Sequence, residues 1–269
     1  MQILLIIPAR YASTRYPGKP LATLRGASGR DRSLIARSID AARDVRGIDR
    51  VVVATDDPRI QAAAQVEGAQ VAMTSSDCQN GTERCAEAAA QLGVGPDDIV
   101  VNLQGDAPLT PAWFVESLVE ALKADPDAAI ATPVLRCDGA ALAAFRQDRR
   151  AGRVGGTTAV FDAHHRALYF SKEVIPYTGE VDPTDASAPT EVFHHVGVYA
   201  YRPAALAQYP SWPQGPLERL EGLEQLRFME QGHKVLCVEV AANGRQFWEL
   251  NNPEDIPRIE SMMTQMGMD

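Results

Sequence analysis

The sequence predicts an α/β fold: a mostly parallel sheet covered by helices, with a smaller mixed α/β lobe inserted at about residues 136–200. Three observations carry this. Through residue 135, short runs that are apolar on both faces alternate with amphipathic segments of helical period, the pattern of buried parallel strands. Beyond 135 that rhythm gives way to paired strands and turns. The 269 residues, 45% apolar and 23% charged, suffice for one α/β core with an elaborated lobe.

Taken in order, residues 3–7 (Ile-Leu-Leu-Ile-Ile) form the first strand, followed by an irregular loop rich in Gly and Arg and a helix over 34–43. Residues 50–55 form the second strand. They end in Asp56-Asp57-Pro58, an N-cap and helix-start signal. Residues 70–73 are a third strand, 83–92 a helix, 99–103 a fourth strand, and Pro111 opens another helix before a strand at 129–135. In the lobe, strands at 157–161 and 167–170 flank the turn Asp162–Arg166, and residues 176–190 read as loop. A strand at 196–201, a helix opened by Pro203, a helix over 216–231, a strand at 235–240 and a terminal helix at 253–263 complete the chain. In such sheets the ligand lies beyond the carboxyl ends of the strands.

The formal charge of −9 argues against a nucleic-acid polymer as partner. It is unevenly spread: residues 1–43 hold eight basic and two acidic side chains, net +6, which points to a small anionic ligand. The four cysteines lack metal spacing and read as reduced thiols. The five-residue apolar run near the N-terminus is too short for a signal peptide or a span, so no membrane insertion and a cytoplasmic location are expected.

The loop Pro8-Ala9-Arg10-Tyr11-Ala12-Ser13-Thr14-Arg15-Tyr16-Pro17-Gly18-Lys19 lies where a parallel sheet binds its ligand. Arg10, Arg15 and Lys19 supply cations, Ser13 and Thr14 hydroxyls, and Gly18 a turn. It matches neither a Walker A loop nor GxGxxG, so a dehydrogenase is disfavoured. A solvated surface loop is the bland alternative, and three cations directly after a buried strand weigh against it. Asp106, just past the fourth strand, offers the hard oxygen that Mg²⁺ prefers. Gly81 permits close backbone approach, Thr82 is placed to cap a helix starting at Glu83, and Arg84 could grip a carboxylate or phosphate. His195 and Tyr199 share a strand face. A histidine there is ordinarily a satisfied core residue. Glu221, Glu224 and Gln225, at i, i+3 and i+4 on the helix over 216–231, share a face.

These segments resemble the sugar-acid cytidylyltransferases, and within them the 3-deoxy-manno-octulosonate (Kdo) branch. Asp77–Arg84 (DCQNGTER) resembles D-x-x-S-G-T-E-R, and Asn102–Asp106 (NLQGD) resembles N-x-Q-G-D. Residues 167–172 (ALYFSK) resemble A-L-Y-F-S-R, and residues 195–199 (HVGVY) resemble H-x-G-x-Y. PLE at 216–218 and LEQLR at 223–227 follow in family order. The resemblance implies a Rossmann-like nucleotidyltransferase that joins CTP to a sugar acid, giving CMP-Kdo and pyrophosphate for lipopolysaccharide assembly. It implies nucleotide contacts from Pro8, Ala9, Arg10, Ser13 and Arg15, with Lys19, Asp77, Gly81 and Gln104 beside them. Sugar contacts are implied for Arg84, Gln104, Tyr169, Ser171 and Lys172, and for His195, Tyr199, Glu224 and Gln225. Arg10, Lys19 and Asp106 are implied as catalytic, with Mg²⁺ as cofactor and a homodimer formed through the lobe.

The chain departs from the family pattern at four places. Asn251 stands where a second metal-binding Asp is expected, so either Glu249 or the Asn251 amide oxygen completes the Mg²⁺ site with Asp106. Ala107 replaces a common Glu, Lys172 replaces an Arg, and Gly26–Asp31 is a longer, more basic loop. Two other readings stay open: a different acidic acceptor (amino-Kdo, a neuraminate-like acid or a phosphonate), and a catalytically weakened nucleotide-binding protein.

Overall fold

A computed structural model describes residues 1–13, 15–154, 156–179, 185–245 and 248–269. Thr14 of the expected phosphate loop and residues 180–184 of the loop expected over 176–190 lie outside the described residues.

Strands β1 (Ile3–Ala9), β4 (Arg50–Thr55), β5 (Gln70–Met73) and β6 (Ile99–Leu103) form an all-parallel half-sheet in the order β5-β4-β1-β6. The small strands β2 (Thr23–Arg25) and β3 (Asp31–Ser33) pair separately as a hairpin. The loop expected there is therefore partly a β-ribbon, too short for periodicity to reveal. β1 alternates its side chains between two cores: Ile3, Leu5 and Ile7 enter one, Leu4 and Ile6 the other. Each such side chain contributes on the order of 1.5–3 kcal/mol by leaving water. Helices α1 (Leu34–Arg43), α2 (Pro58–Val66) and α4 (Ala112–Ala124) cover the first face, and α3 (Gly81–Gln91) covers the second. The α2 start is capped by Asp57, as its sequence signal indicated.

The rest of the sheet is largely antiparallel. It comprises β7 (Ile130–Asp138), β8 (Thr157–Phe161), β9 (Ala167–Ser171), β10 (Pro189–His195), β11 (Val198–Tyr201) and β12 (Val235–Glu239). Ala131 pairs with both Ala200 of β11 and Leu236 of β12, and Val134 with both His195 of β10 and Glu239 of β12. Since a residue has only two edges, β10 and β11 share one side of β7 and form a single line broken at Val196–Gly197. β11 joins β6 antiparallel, welding this part to the parallel half. β8 and β9 extend outward from β10, and α5 (Gly139–Arg150) packs on β7 and β10.

The helix expected over 216–231 is two helices, α7 (Pro216–Glu221) and α8 (Gln225–Glu230), after the short α6 (Pro203–Gln208). Gly222 breaks them apart with φ +63°, a left-handed cap that glycine adopts without a Cβ penalty. Helix α9 (Ile256–Met266) closes a third apolar cluster with Leu24, Leu34, Leu109 and Leu250. No helix among the described residues is long and apolar enough to cross a membrane. All four cysteines are free.

Candidate active site

A cavity of about 450 Å³ opens at the carboxyl ends of β1 and β6. One wall is the loop after β1. Gly18 N and Ser13 N both donate to the Tyr11 carbonyl at 2.9 Å, folding the loop back on itself. Gly18 has φ +72°, and a Cβ there would sit 3.0 Å from the Tyr11 ring. Arg10, Arg15 and Lys19 line the cavity with Pro8, Ala9 and Ser13. The other basic residues of the first 43 do different work: Arg32 pairs with Asp40 and Glu67, and the buried Arg37 donates to the carbonyls of Leu24 and Arg30. Three of the eight cations behind the net +6 thus face the ligand space.

The floor is the end of β6. Lys19 Nζ lies 2.6 Å from Asp106 Oδ2. Gly105 brings this floor against the end of β1, since a Cβ there would be 2.8 Å from the Pro8 carbonyl oxygen. Leu250 N donates to the Asp106 carbonyl at 2.8 Å, which carries Glu249 and Asn251 to the same cavity. Arg15 donates to the Asn251 amide oxygen at 2.8 Å, and Asn251 Nδ2 reaches Glu249 Oε2 at 3.4 Å. Glu249 is exposed at the cavity, and its desolvation there together with the Asp106 carboxylate raises its carboxyl to about 7.

The facing wall comes from the first turn of α3 and the break between α7 and α8. Asn80, not Thr82, caps α3, accepting from Glu83 N at 2.9 Å. Thr82 is instead inside the helix and fully buried, its hydroxyl 2.9 Å from that of Tyr201. Glu224 accepts from Thr82 N at 3.0 Å and from Gln104 Nε2 at 3.1 Å, and burial raises its carboxyl above the usual range. Tyr199 donates to Gln225 Oε1 at 3.0 Å, leaving the buried Gln225 Nε2 with no acceptor among the described residues. A donor left so on a cavity wall is ready for a ligand oxygen.

Five expected site residues lie elsewhere. His195 is a core histidine: Thr132 and Thr157 hydroxyls sit 2.9 and 3.0 Å from its two nitrogens, and burial lowers its pKa to about 3. It packs against Tyr199 and so backs the wall rather than lining it. Tyr169 and Ser171 hydroxyls and the Lys172 backbone N–H all donate to Glu221, at 3.3, 2.7 and 2.8 Å. Because Gly222 ends α7, Glu221 turns to these groups instead of sharing a face with Glu224 and Gln225. The Lys172 ammonium nevertheless comes 3.0 Å from where a Gly222 Cβ would stand, at the cavity's edge. Asp77 lies outside the cavity on an exposed groove. Arg84 lines the cavity, but its buried guanidinium is held by Thr74 at 2.5 Å and Asp56 at 3.3 Å.

The cytidylyltransferase family profile matches residues 4–235. A 3-deoxy-manno-octulosonate cytidylyltransferase of Maricaulis maris is 42% identical over 99% of both chains, and one of Desulfosudis oleivorans is 39% identical over the whole of both. The chain belongs to the cytidylyltransferase family. Among solved structures, a CMP:2-keto-3-deoxy-manno-octonic acid synthetase complexed with CTP superposes with TM-score 0.80. It is 33% identical and covers 99% of this chain and 100% of that one. A cytidylyltransferase of Leptospira borgpetersenii, 17% identical with TM-score 0.60, shares the fold. This cytidylyltransferase is accordingly a nucleotidyltransferase enzyme.

The cytidylyltransferase cavity also holds Gln79, Asn80, Gly105, Gly197, Gly222 and Leu223, which the motifs pointed near but did not single out. Asn80 carried a readable signal, an Asx residue just before a helix. The glycines matter only through backbone approach, visible once the strands are placed.

Proposed function

We propose that this cytidylyltransferase transfers CMP from CTP to the anomeric hydroxyl of 3-deoxy-manno-octulosonate, releasing pyrophosphate, in the cytoplasm and for lipopolysaccharide assembly. One observation carries the reading: a single cavity sets Arg10, Arg15 and Lys19 beside Asp106, opposite the neutral and acidic groups of Glu224 and Gln225. The cationic wall suits a triphosphate and the polar wall a polyhydroxy acid.

The sugar hydroxyl attacks the α-phosphate in line, and catalysis rests on positioning and charge neutralisation. Arg10 and Lys19 hold the β- and γ-phosphates and stabilise the departing pyrophosphate. Gln225 Nε2 donates to a sugar oxygen, and Tyr199 fixes the amide's orientation. Asp106 and Glu249 are hard oxygen donors whose mutual repulsion a divalent cation would relieve, so the donor set fits Mg²⁺. Asn251 fits less well, because Arg15 already occupies its amide oxygen. Bound there, Mg²⁺ would neutralise phosphate charge and acidify the attacking hydroxyl.

The segment 136–200 acts in this reading as a lobe that shapes the sugar side and joins two copies. Exposed Leu168 and Tyr177 support a homodimer through it. The test is pyrophosphate release from CTP against a panel of sugar acids, with and without Mg²⁺. Mg²⁺-dependent release with Kdo is expected. Release only with a neuraminate, an amino-Kdo or a phosphonate would overturn the acceptor, and no release with any acceptor would favour a binding protein.

A further inference from the structure

Arg227 lies outside the cavity and is almost fully buried, yet every nitrogen of its guanidinium is engaged. Its Nε and one terminal nitrogen donate to Glu218 at 2.7 and 2.8 Å, and the other donates to Glu83 at 2.9 Å. The Tyr209 ring lies 4.1 Å from the guanidinium carbon. Glu218 belongs to α7 and Arg227 to α8, so the first pair fixes the geometry of the break that presents Glu224 and Gln225. Glu83 lies in the first turn of α3, beside that break, and its hydrogen bonds run on to the wall formed by the loop after β1. Its second oxygen accepts from Gln79 N at 2.8 Å, and the Gln79 carbonyl accepts from Arg10 at 3.5 Å. A parallel brace runs through Tyr209, which donates to the Glu224 carbonyl at 3.1 Å and accepts from Asn80 at 3.2 Å.

We propose that Arg227 is a positioning residue that sets the separation and register of the two substrate walls, acting through Glu218 on the Glu224–Gln225 side and through Glu83 and Gln79 on the Arg10 side. The proposal rests on the cytidylyl-transfer reading above. A buried, bidentate ion pair is rigid in a way that a chain of solvated contacts is not. If the pair sets only the mutual placement of two bound substrates, its loss acts on the reaction step rather than on either binding step.

Arg227→Gln and Glu83→Gln are compared with wild type in steady-state kinetics with CTP and Kdo. Each is expected to lower kcat roughly ten- to a hundredfold, with both KM values changed by less than about threefold. Arg227→Lys should recover part of the loss, and the double variant should be no worse than the poorer single one. Hydrogen exchange should rise together at residues 79–83 and 222–226 in Arg227→Gln. A raised KM at unchanged kcat, additive losses, or exchange confined to 222–226 would overturn the proposal. Glu83→Gln carries the same test if Arg227→Gln does not fold. Wild type inactive with every acceptor would overturn the substrate reading alone, and the exchange result would then decide the role of Arg227.

Discussion

The Lys19 ammonium rests 2.6 Å from the Asp106 carboxylate, so the lysine assigned to the nucleotide's phosphates neutralises the carboxylate assigned to the metal. In the proposed reading, a phosphate chain entering the cavity would draw Lys19 one way and leave Asp106 free to take a cation. Metal and nucleotide should therefore bind cooperatively. Lys19→Met is expected to lower turnover about a hundredfold while strengthening Mn²⁺ binding in the absence of CTP. Titration of the free protein with Mn²⁺, followed by its electron spin resonance signal, reads this directly. Unchanged or weaker binding in the variant would remove the argument.

In the proposed function Glu249 is the second carboxylate for Mg²⁺ beside Asp106. Glu249→Gln should raise the Mg²⁺ concentration needed for half-maximal rate by at least about tenfold, because a neutral amide supplies no charge to the cation. Asn251→Ala should cost less in Mg²⁺ dependence and show mainly as weaker CTP binding through the released Arg15. A Mg²⁺ titration of both variants that gives the reverse order transfers the ligand role to Asn251.

Gly105→Ala places a methyl 2.8 Å from the Pro8 carbonyl oxygen, a backbone atom with nowhere to move unless β1 and β6 part. Loss of about 1–3 kcal/mol in stability is expected, with CTP affinity falling alongside. Denaturant midpoints and calorimetric CTP binding on the same preparation check both.

His195 is neutral in the fold with a pKa of about 3, against an ordinary value near 6.5. Between these values the unfolded chain binds a proton that the folded chain refuses. Its contribution is fully present above about pH 6.5 and is lost as pH falls toward 3, by up to about 1.4 kcal/mol per pH unit. Half-buried His194, lowered to about 4, adds in the same direction. His195→Asn, which keeps a donor and an acceptor for Thr132 and Thr157, should flatten part of this acid slope in urea unfolding measured from pH 7 to 4. An unaltered slope would place the acid sensitivity elsewhere.

Four strands were legible to the residue, 50–55, 70–73, 99–103 and 157–161, each a run of strand-forming residues bounded by polar or turn residues, whereas β1 runs on through Pro8 and Ala9 beyond the expected 3–7. Arg10, Lys19, Asp106, Glu224 and Gln225 were legible because their motifs follow strand ends or lie in family order, and the fold brings all five to one cavity. What escaped depended on a single backbone angle or on a neighbour distant in sequence. Gly222 looks tolerable inside a helix of otherwise good formers, and only the packing of Glu221 against Ser171 shows why the chain turns there. The role of His195 was set by Thr132 and Thr157, 63 and 38 residues away, which no local pattern records. The hairpin at 23–33 has strands too short for alternation to register.

The bond between Arg15 and Asn251 joins positions 236 apart, whereas that between Lys19 and Asp106 joins positions 87 apart. Closing the longer loop costs only about 1 kcal/mol more, so distance along the chain matters little at equilibrium. It matters in time. In synthesis from the N-terminus residue 106 precedes residue 251, so the partner of Lys19 is made well before the partner of Arg15. The two ends of this cationic loop are therefore tied to the rest of the fold at different stages of synthesis.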